Sequence, residues 1–145
     1  MKPITVAAAS ISGPSFKATL ASLAVSPFVE RIFVTAGRAG AALPEYCSPV
    51  AGRLLSGNTL ASLIDQVRTE YLLLLTPLSG LSIGVDGLET FLKKGDSAQA
   101  GLVYSYFSET GPQGRALHQV NDYQQGSVRD DFDFGPVMLF SVPAL

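Results

Sequence analysis

Short apolar runs alternate with segments of helical spacing along this chain. Ile4–Ala9 (ITVAAA) is an apolar run closed by Ser10, Ser12, Gly13 and Pro14, and it predicts a buried strand that runs into a loop. Between Ser15 and Val25, Phe16, Leu20 and Leu23 fall at i, i+4 and i+7, one face of a helix that Ser26-Pro27 ends. β-Branched and aromatic residues dominate Val29–Thr35 (VERIFVT), the second expected strand, and Gly37-Arg38-Ala39-Gly40 then forces a loop. Residues 41–52 hold two prolines and little periodicity and read as irregular, while Arg53-Leu54-Leu55 fits only a very short strand. Asn58 or Thr59 is placed to cap a helix whose face is Leu60, Leu63, Ile64 and Val67. Tyr71–Leu75 (YLLLL) is the third strong strand, and its continuous apolar run fits a strand covered on both faces. Thr76–Gly84 is a turn-rich loop. Asp86 and Glu89 stand three apart, as in a capping box, ahead of Leu88, Phe91 and Leu92, and Gly95 behind Lys93-Lys94 marks a helix end. Gly101–Phe107 reads as a strand, Ser108–Gly114 as a hairpin turn or loop, and Arg115–Val120 as a returning strand. A polar, acidic and aromatic stretch, Asn121–Gly135, leads to the last strand, Val137–Val142.

Strands and helices in this order predict an α/β domain with a mainly parallel sheet, helices on its flanks and right-handed crossovers. The 145 residues suit a single domain, 1–145, with Val6, Leu20, Phe33, Leu63, Leu73 and Phe91 in its core. In such a sheet, ligands bind at the strand C-termini. The loops Ser10–Pro14, Thr35–Gly40 and Thr76–Gly80 are therefore expected to converge at one edge.

Composition narrows the function classes. Apolar residues make up 47% and charged residues 15%, with mean hydropathy +0.29, which excludes a disordered chain. Ten Lys and Arg against twelve Asp and Glu leave a net charge of −2 and no basic stripe, so no nucleic-acid polymer is an expected partner. Cys47 stands alone, which excludes an internal disulfide, and together with the single His118 it cannot build a zinc site. Met1-Lys2-Pro3 is followed by a brief Ala-rich stretch, short of a secretory core of roughly 7–15 strongly apolar residues. Tyr71–Leu75, the longest strongly apolar run, is far below the roughly 20 residues of a membrane helix. The expectation is a soluble cytoplasmic chain without a transmembrane segment.

Candidate chemistry is sparse. Thr35–Gly40 carries two glycines behind the second strand with Pro44 following, and so does not meet the dinucleotide fingerprint of three spaced glycines opening a helix. Arg38 is a planar donor for a phosphate, or a solvated loop arginine. Thr76-Pro77-Leu78-Ser79 has no carboxylate and cannot by itself hold a divalent cation. The hydroxyls of Thr76 and Ser79 either bond a ligand or satisfy the turn backbone. The most distinctive segment is Arg129–Gly135. Its Asp130, Asp131 and Asp133 are suited to metal binding or acid–base work, or to an acidic surface turn in which Phe132 and Phe134 anchor the following strand. His118 reads as a strand-surface, hydrogen-bonded histidine, and Cys47 carries no nucleophile signature.

The segment order resembles the N-terminal part of family 2 glycosyltransferases, which have the GT-A fold. Ile4–Ser12 stands where the family has its first strand and sugar-nucleotide loop. Ala18-Thr19-Leu20-Ala21-Ser22-Leu23 looks like the family's first helix. Glu30-Arg31-Ile32-Phe33-Val34-Thr35 looks like the second strand, where the family has a uridine-contacting Asp and this chain has Thr35. Thr69-Glu70-Tyr71-Leu72-Leu73-Leu74-Leu75 is similar to the strand that runs into Asp-x-Asp, and here Thr76 and Leu78 replace both carboxylates. Gly126–Val142 looks like the strand pair below the acceptor region.

The resemblance implies transfer of a sugar from a nucleotide sugar to a glycan or lipid-linked acceptor. It implies that Ser10, Ser12 and Thr35 line the nucleoside, that Arg38 and Thr76 approach the diphosphate, and that Asp130, Asp131 or Asp133 supplies the missing carboxylate, with Ser79 a further substrate-binding candidate. No cofactor is expected, with Mn²⁺ or Mg²⁺ only if Asp130–Asp133 holds it. The domain is then the N-terminal part of a longer transferase. Two alternatives stand beside it: a non-catalytic module of the same fold that binds a partner or scaffolds an enzyme, and another nucleotide-binding α/β enzyme. The apolar composition, and a last strand with nothing of this chain behind it, predict an open sheet edge or face. A homo-oligomer joined through Val137–Val142 or Tyr104–Phe107 is the corresponding expectation.

Overall fold

A computed structural model of the chain describes residues 1–10, 13–35, 42–76, 81–120, 125–126, 128–129 and 132–145. Its elements are β1 (Ile4–Ala9), α1 (Pro14–Ala24), β2 (Val29–Thr35), β3 (Cys47–Val50), α2 (Gly57–Ile64), β4 (Tyr71–Leu75), α3 (Val85–Ala98), β5 (Leu102–Tyr104), β6 (Phe107–Gly111), β7 (Gly114–His118) and β8 (Val137–Ser141). Six strands form one sheet in the order β3-β2-β1-β4-β8-β5, and β6 and β7 form a separate hairpin. The expected mainly parallel α/β sheet is present: β3, β2, β1 and β4 run parallel, and β5 shares their direction because it and β4 both pair antiparallel with β8.

Each face of the sheet has its own core. Ile4, Val6 and Ala8 of β1 and Tyr71, Leu73 and Leu75 of β4 pack under α1 (Phe16, Leu20, Leu23) and α3 (Leu88, Leu92). On the opposite face Ala7, Phe33, Leu72 and Leu74 pack under Leu63 of α2 and Val67 behind it. β4 is thus covered on both sides, as its unbroken apolar run requires. Of the expected core residues, Val6, Leu20, Phe33, Leu63 and Leu73 are buried, whereas Phe91 is only half-buried at the margin.

Several local expectations are corrected. Residues 41–52 are not all irregular: Cys47–Val50 is an edge strand parallel to β2, with Cys47 and Val50 buried. Proline at position 49 is compatible with that edge, where a backbone donor is dispensable. Arg53-Leu54-Leu55 is not a strand. Leu54 is buried against α2's side of the sheet, and Ser56 caps α2 in place of Asn58 or Thr59, its Oγ accepting the Thr59 N–H at 3.3 Å. Gly84 occupies the N-cap of α3 and Asp86 lies inside the first turn, so Asp86 and Glu89 form no capping box. The helix also runs through Gly95 and ends at Gln99, which adopts the left-handed conformation (φ 47°). Gly95 serves a tertiary approach: a Cβ there would lie 3.2 Å from Cε1 and Oη of Tyr71.

The stretch expected as one strand from Gly101 to Phe107 is broken after Tyr104. Phe107 belongs to the hairpin, where its ring stacks on His118 and lies against Gly135. β8 is not an open edge, since β4 and β5 flank it. No helix among the described residues is long and apolar enough to cross a membrane.

Candidate functional site

The parallel strands deliver three hydroxyl side chains to one edge of the sheet. Ser10 follows β1, Thr35 ends β2 and Thr76 follows β4. Because β1 pairs with both β2 and β4, the three stand side by side, with Ala9 level with Thr35 and Ala8 level with Leu75. The Ser10 N–H donates to the Thr35 carbonyl at 3.2 Å, which ties the first two loops together at their base. Thr35 is buried, and Ser10 and Thr76 are half-buried.

β8 enters the same edge from the opposite direction. Asp133 Oδ1 accepts the Gly135 N–H at 2.8 Å, and the Thr76 N–H donates to the Pro136 carbonyl at 2.9 Å. Gly135 has φ 79°, a left-handed conformation suited to glycine, and its Cα faces Phe107 at a distance that leaves little room for a Cβ. One oxygen of Asp133 is therefore engaged in turning the chain into β8. Phe132 and Phe134 anchor this turn as the sequence suggests, each meeting Tyr104 edge to face at centroid separations of 5.9 and 5.2 Å.

The structure thus brings Ser10, Thr35 and Thr76 to neighbouring positions at the sheet edge, while Asp133 stands in the turn that leads into β8. Ser12, Arg38, Ser79, Asp130 and Asp131 lie outside the described residues. Among the described residues no group of three His, Cys, Asp or Glu side chains is placed to share a metal ion. Burial pushes the Cys47 thiol above its ordinary range, consistent with a core residue and not a nucleophile.

Next to this edge opens a cleft of about 1220 Å³ between the β6–β7 hairpin, the Leu81–Gly84 segment leading into α3, and the start of β8 at Pro136 and Val137. Thr19 in α1 holds the segment in place by donating from Oγ1 to the Leu81 carbonyl. Sequence reasoning missed the cleft residues Glu109 and Arg115. The available signal was the turn Gly111-Pro112-Gln113-Gly114, which pairs Glu109 with Ala116 and Phe107 with His118. His118 is, as read, a hydrogen-bonded histidine on a strand surface: its Nε2 lies 3.1 Å from Glu109 Oε2.

No protein-family model and no curated protein sequence matches the chain. Solved structures do. The chain is similar to a CMP:2-keto-3-deoxy-manno-octonic acid synthetase complexed with CTP, at TM-score 0.62 and 9% identity, over 99% of this chain and 76% of that one. It is similar to S. aureus TarS at TM-score 0.63 and 15% identity, over 98% of this chain but only 47% of that one. A third likeness is to the 4-diphosphocytidyl-2C-methyl-D-erythritol synthase of Anaerococcus prevotii, at TM-score 0.58 and 8% identity, over 98% of this chain and 71% of that one. At these identities the shared property is the fold, a mostly parallel six-stranded sheet flanked by helices.

Proposed function

We infer that the chain is a nucleotide-sugar-binding domain of the family 2 glycosyltransferase type, passing a sugar from a nucleotide sugar to a glycan or lipid-linked acceptor. The observation that carries this reading is the sheet order β3-β2-β1-β4-β8-β5 with Ser10, Thr35 and Thr76 side by side at the C-terminal ends of β1, β2 and β4. Ligands of such sheets lie in the crevice outside those strand ends. Ser10, Ser12 and Thr35 line the nucleoside in this reading, and Arg38, Thr76 and Ser79 meet the diphosphate. The carboxylates Asp130, Asp131 and Asp133 stand nearest in sequence to the Pro136–Thr76 link and are the groups for a divalent ion, Mn²⁺ or Mg²⁺, if one binds.

Titration calorimetry with UDP and with CTP, each with and without Mn²⁺, tests the reading. Binding of either nucleotide, weakened by Thr35→Val, is expected, and no heat from either nucleotide in the presence of metal overturns it. One observation favours a second reading, a non-catalytic module of the same fold: β4 runs into Thr76 and Leu78, with no carboxylate at either position. Nucleotide binding without any turnover of nucleotide sugars distinguishes that module from a transferase.

A further inference from the structure

Thr35 is set apart from the other buried polar side chains among the described residues, which are Thr5, Thr19, Ser26, Thr59 and Thr69. Thr5 and Thr69 share a hydrogen bond of 2.8 Å, and Thr19 donates to the Leu81 carbonyl. Ser26 Oγ accepts the Phe28 N–H at 3.2 Å, and Thr59 Oγ1 lies 2.8 Å from Ser56 Oγ. The Thr35 hydroxyl has no partner among the described residues, although only 5% of Thr35 is exposed. Buried polar groups are ordinarily hydrogen-bonded, because an unpaired one forfeits its bond to water. Among the described residues, no side-chain nitrogen or oxygen sealed from solvent lacks a partner, so the small part of Thr35 that solvent reaches includes its hydroxyl oxygen. A nearly buried residue thus presents one open hydrogen-bonding atom at the C-terminal end of β2.

The surroundings of that atom select the group that bonds it. Side chains alternate between the faces of a strand. Val34 belongs to the core under α1 and α3, so Thr35 faces the α2 side together with Phe33. Its register partners are Ala9 of β1 and Val50 of β3, and both pack into the apolar core of that side. Thr76 follows Leu75, which is level with Ala8, and so stands next to Ala9 on the side away from Thr35. Thr35 and Thr76 are therefore two strand spacings apart, about 10 Å, across an alanine whose methyl fills little of the gap. A single hydroxyl in an apolar setting suits a flat, largely apolar ligand with a polar edge. A phosphate instead takes cations or several N–H donors.

We infer that Thr35 reads the base of the bound nucleotide and that it admits uracil and cytosine alike. The inference rests on the nucleotide-sugar reading above and specifies its base. Uracil presents an N–H at ring position 3, and cytosine presents a lone pair there. A hydroxyl carries one donor and two lone pairs on a free rotor, so it accepts from uracil or donates to cytosine. A carboxylate in its place only accepts, which favours uracil.

Calorimetric titration of the chain with UDP and with CDP, in one buffer with Mn²⁺ present, tests the inference. The wild type is expected to bind the two nucleotides with dissociation constants within about fivefold of each other. Thr35→Val, which keeps the branched shape and loses the hydroxyl, should weaken both about 10-fold and leave their ratio unchanged. Thr35→Ser, which keeps the hydroxyl, should bind both as the wild type does. Thr35→Asp should favour UDP over CDP by about 10-fold or more. Circular dichroism checks that each variant is folded, and if Thr35→Asp is not, the wild-type ratio and Thr35→Val decide the matter. A wild-type preference beyond about fivefold for either nucleotide overturns the inference. So does a folded Thr35→Val that binds both nucleotides as tightly as the wild type. Either result leaves the nucleotide-sugar reading intact, whereas failure of both nucleotides to bind the wild type removes that reading itself.

Discussion

The hydroxyl of Tyr71, on the first residue of β4, lies 2.5 Å from Oδ1 of Asp96 near the end of α3. The bond to the carboxylate, then burial, then the charges of Asp96 and Glu70, push the Tyr71 pKa up to about 12. A group whose pKa is higher in the folded than in the unfolded chain adds stability that is whole below the unfolded value, about 10 for tyrosine. That stability fades as pH rises through the folded value. Urea unfolding should therefore show the wild type losing stability between about pH 10 and 12, whereas Tyr71→Phe should lose less over the same window. At neutral pH Tyr71→Phe should cost about 1.5–3 kcal/mol, the usual worth of a hydrogen bond to a charged group.

Glycine inside a helix ordinarily gains about 0.5–1 kcal/mol when replaced by alanine. Two glycines of α3 should respond oppositely. Among the described residues, only Ile83 Cγ2 lies near the Cβ position of Gly87, at an ordinary 3.7 Å, and Gly87→Ala should be neutral or stabilising. At Gly95 the added methyl would press on the buried Tyr71 ring at 3.2 Å, and that ring is tethered to Asp96. Gly95→Ala should lower the thermal midpoint, and a rise would show that the ring yields freely.

Asp133 has a definite structural duty in the 2.8 Å bond from Gly135 N–H. Asp133→Ala should cost about 1 kcal/mol, measured by denaturant unfolding. Asp133→Asn, which keeps the acceptor oxygen, should recover most of that stability. If Asp133→Asn nevertheless loses nucleotide-sugar turnover, the carboxylate charge has a role beyond the turn.

The expected self-association needs a different surface from a sheet edge. β8 is flanked on both sides, β5 has three residues, and β3 carries Pro49, so the outer edges are short or poor donors. The register does place Leu102, Met138 and Phe140 on one face with Leu72 and Leu74, and these three remain half-buried. Sedimentation at tens of micromolar is expected to show a dimer joined through this face. Met138→Lys should return it to 15.2 kDa with its circular dichroism intact. A wild type that already sediments at 15.2 kDa removes the expectation.

What the sequence made legible follows from one-dimensional signals. β1, β2 and β4 announce themselves as apolar runs, α1 and α2 as spaced apolar faces, and Ser10, Thr35 and Thr76 as the residues just past or at strand ends. The cap errors at Ser56 and Gly84 are local, a matter of two or three residues along the chain, whereas the larger errors share a cause, a partner distant in sequence. Cys47-Ser48-Pro49-Val50 looks like loop until β2 pairs with it. Gly95 looks like a helix stop until Tyr71 is seen against it. Nothing in VMLFS tells a strand that it will run antiparallel between two others, and the Glu109–His118 pair emerges only once the hairpin register is known.

The position of β8 also sets an order of assembly during synthesis. β1 to β4 can pair among themselves as they emerge, since every contact in β3-β2-β1-β4 joins residues at or before Leu75. Among the described residues, β5 has β8 as its one neighbour in the sheet. Thirty-two residues separate the end of β5 from the start of β8, and the hairpin lies between them. Until Val137–Ser141 has been translated, the outer edge of β4 therefore lacks the strand that pairs with it here, with Leu72 and Leu74 among its apolar side chains. A nascent chain paused in that interval exposes a strand edge that the finished protein conceals, and this is where a ribosome-associated chaperone has most to protect.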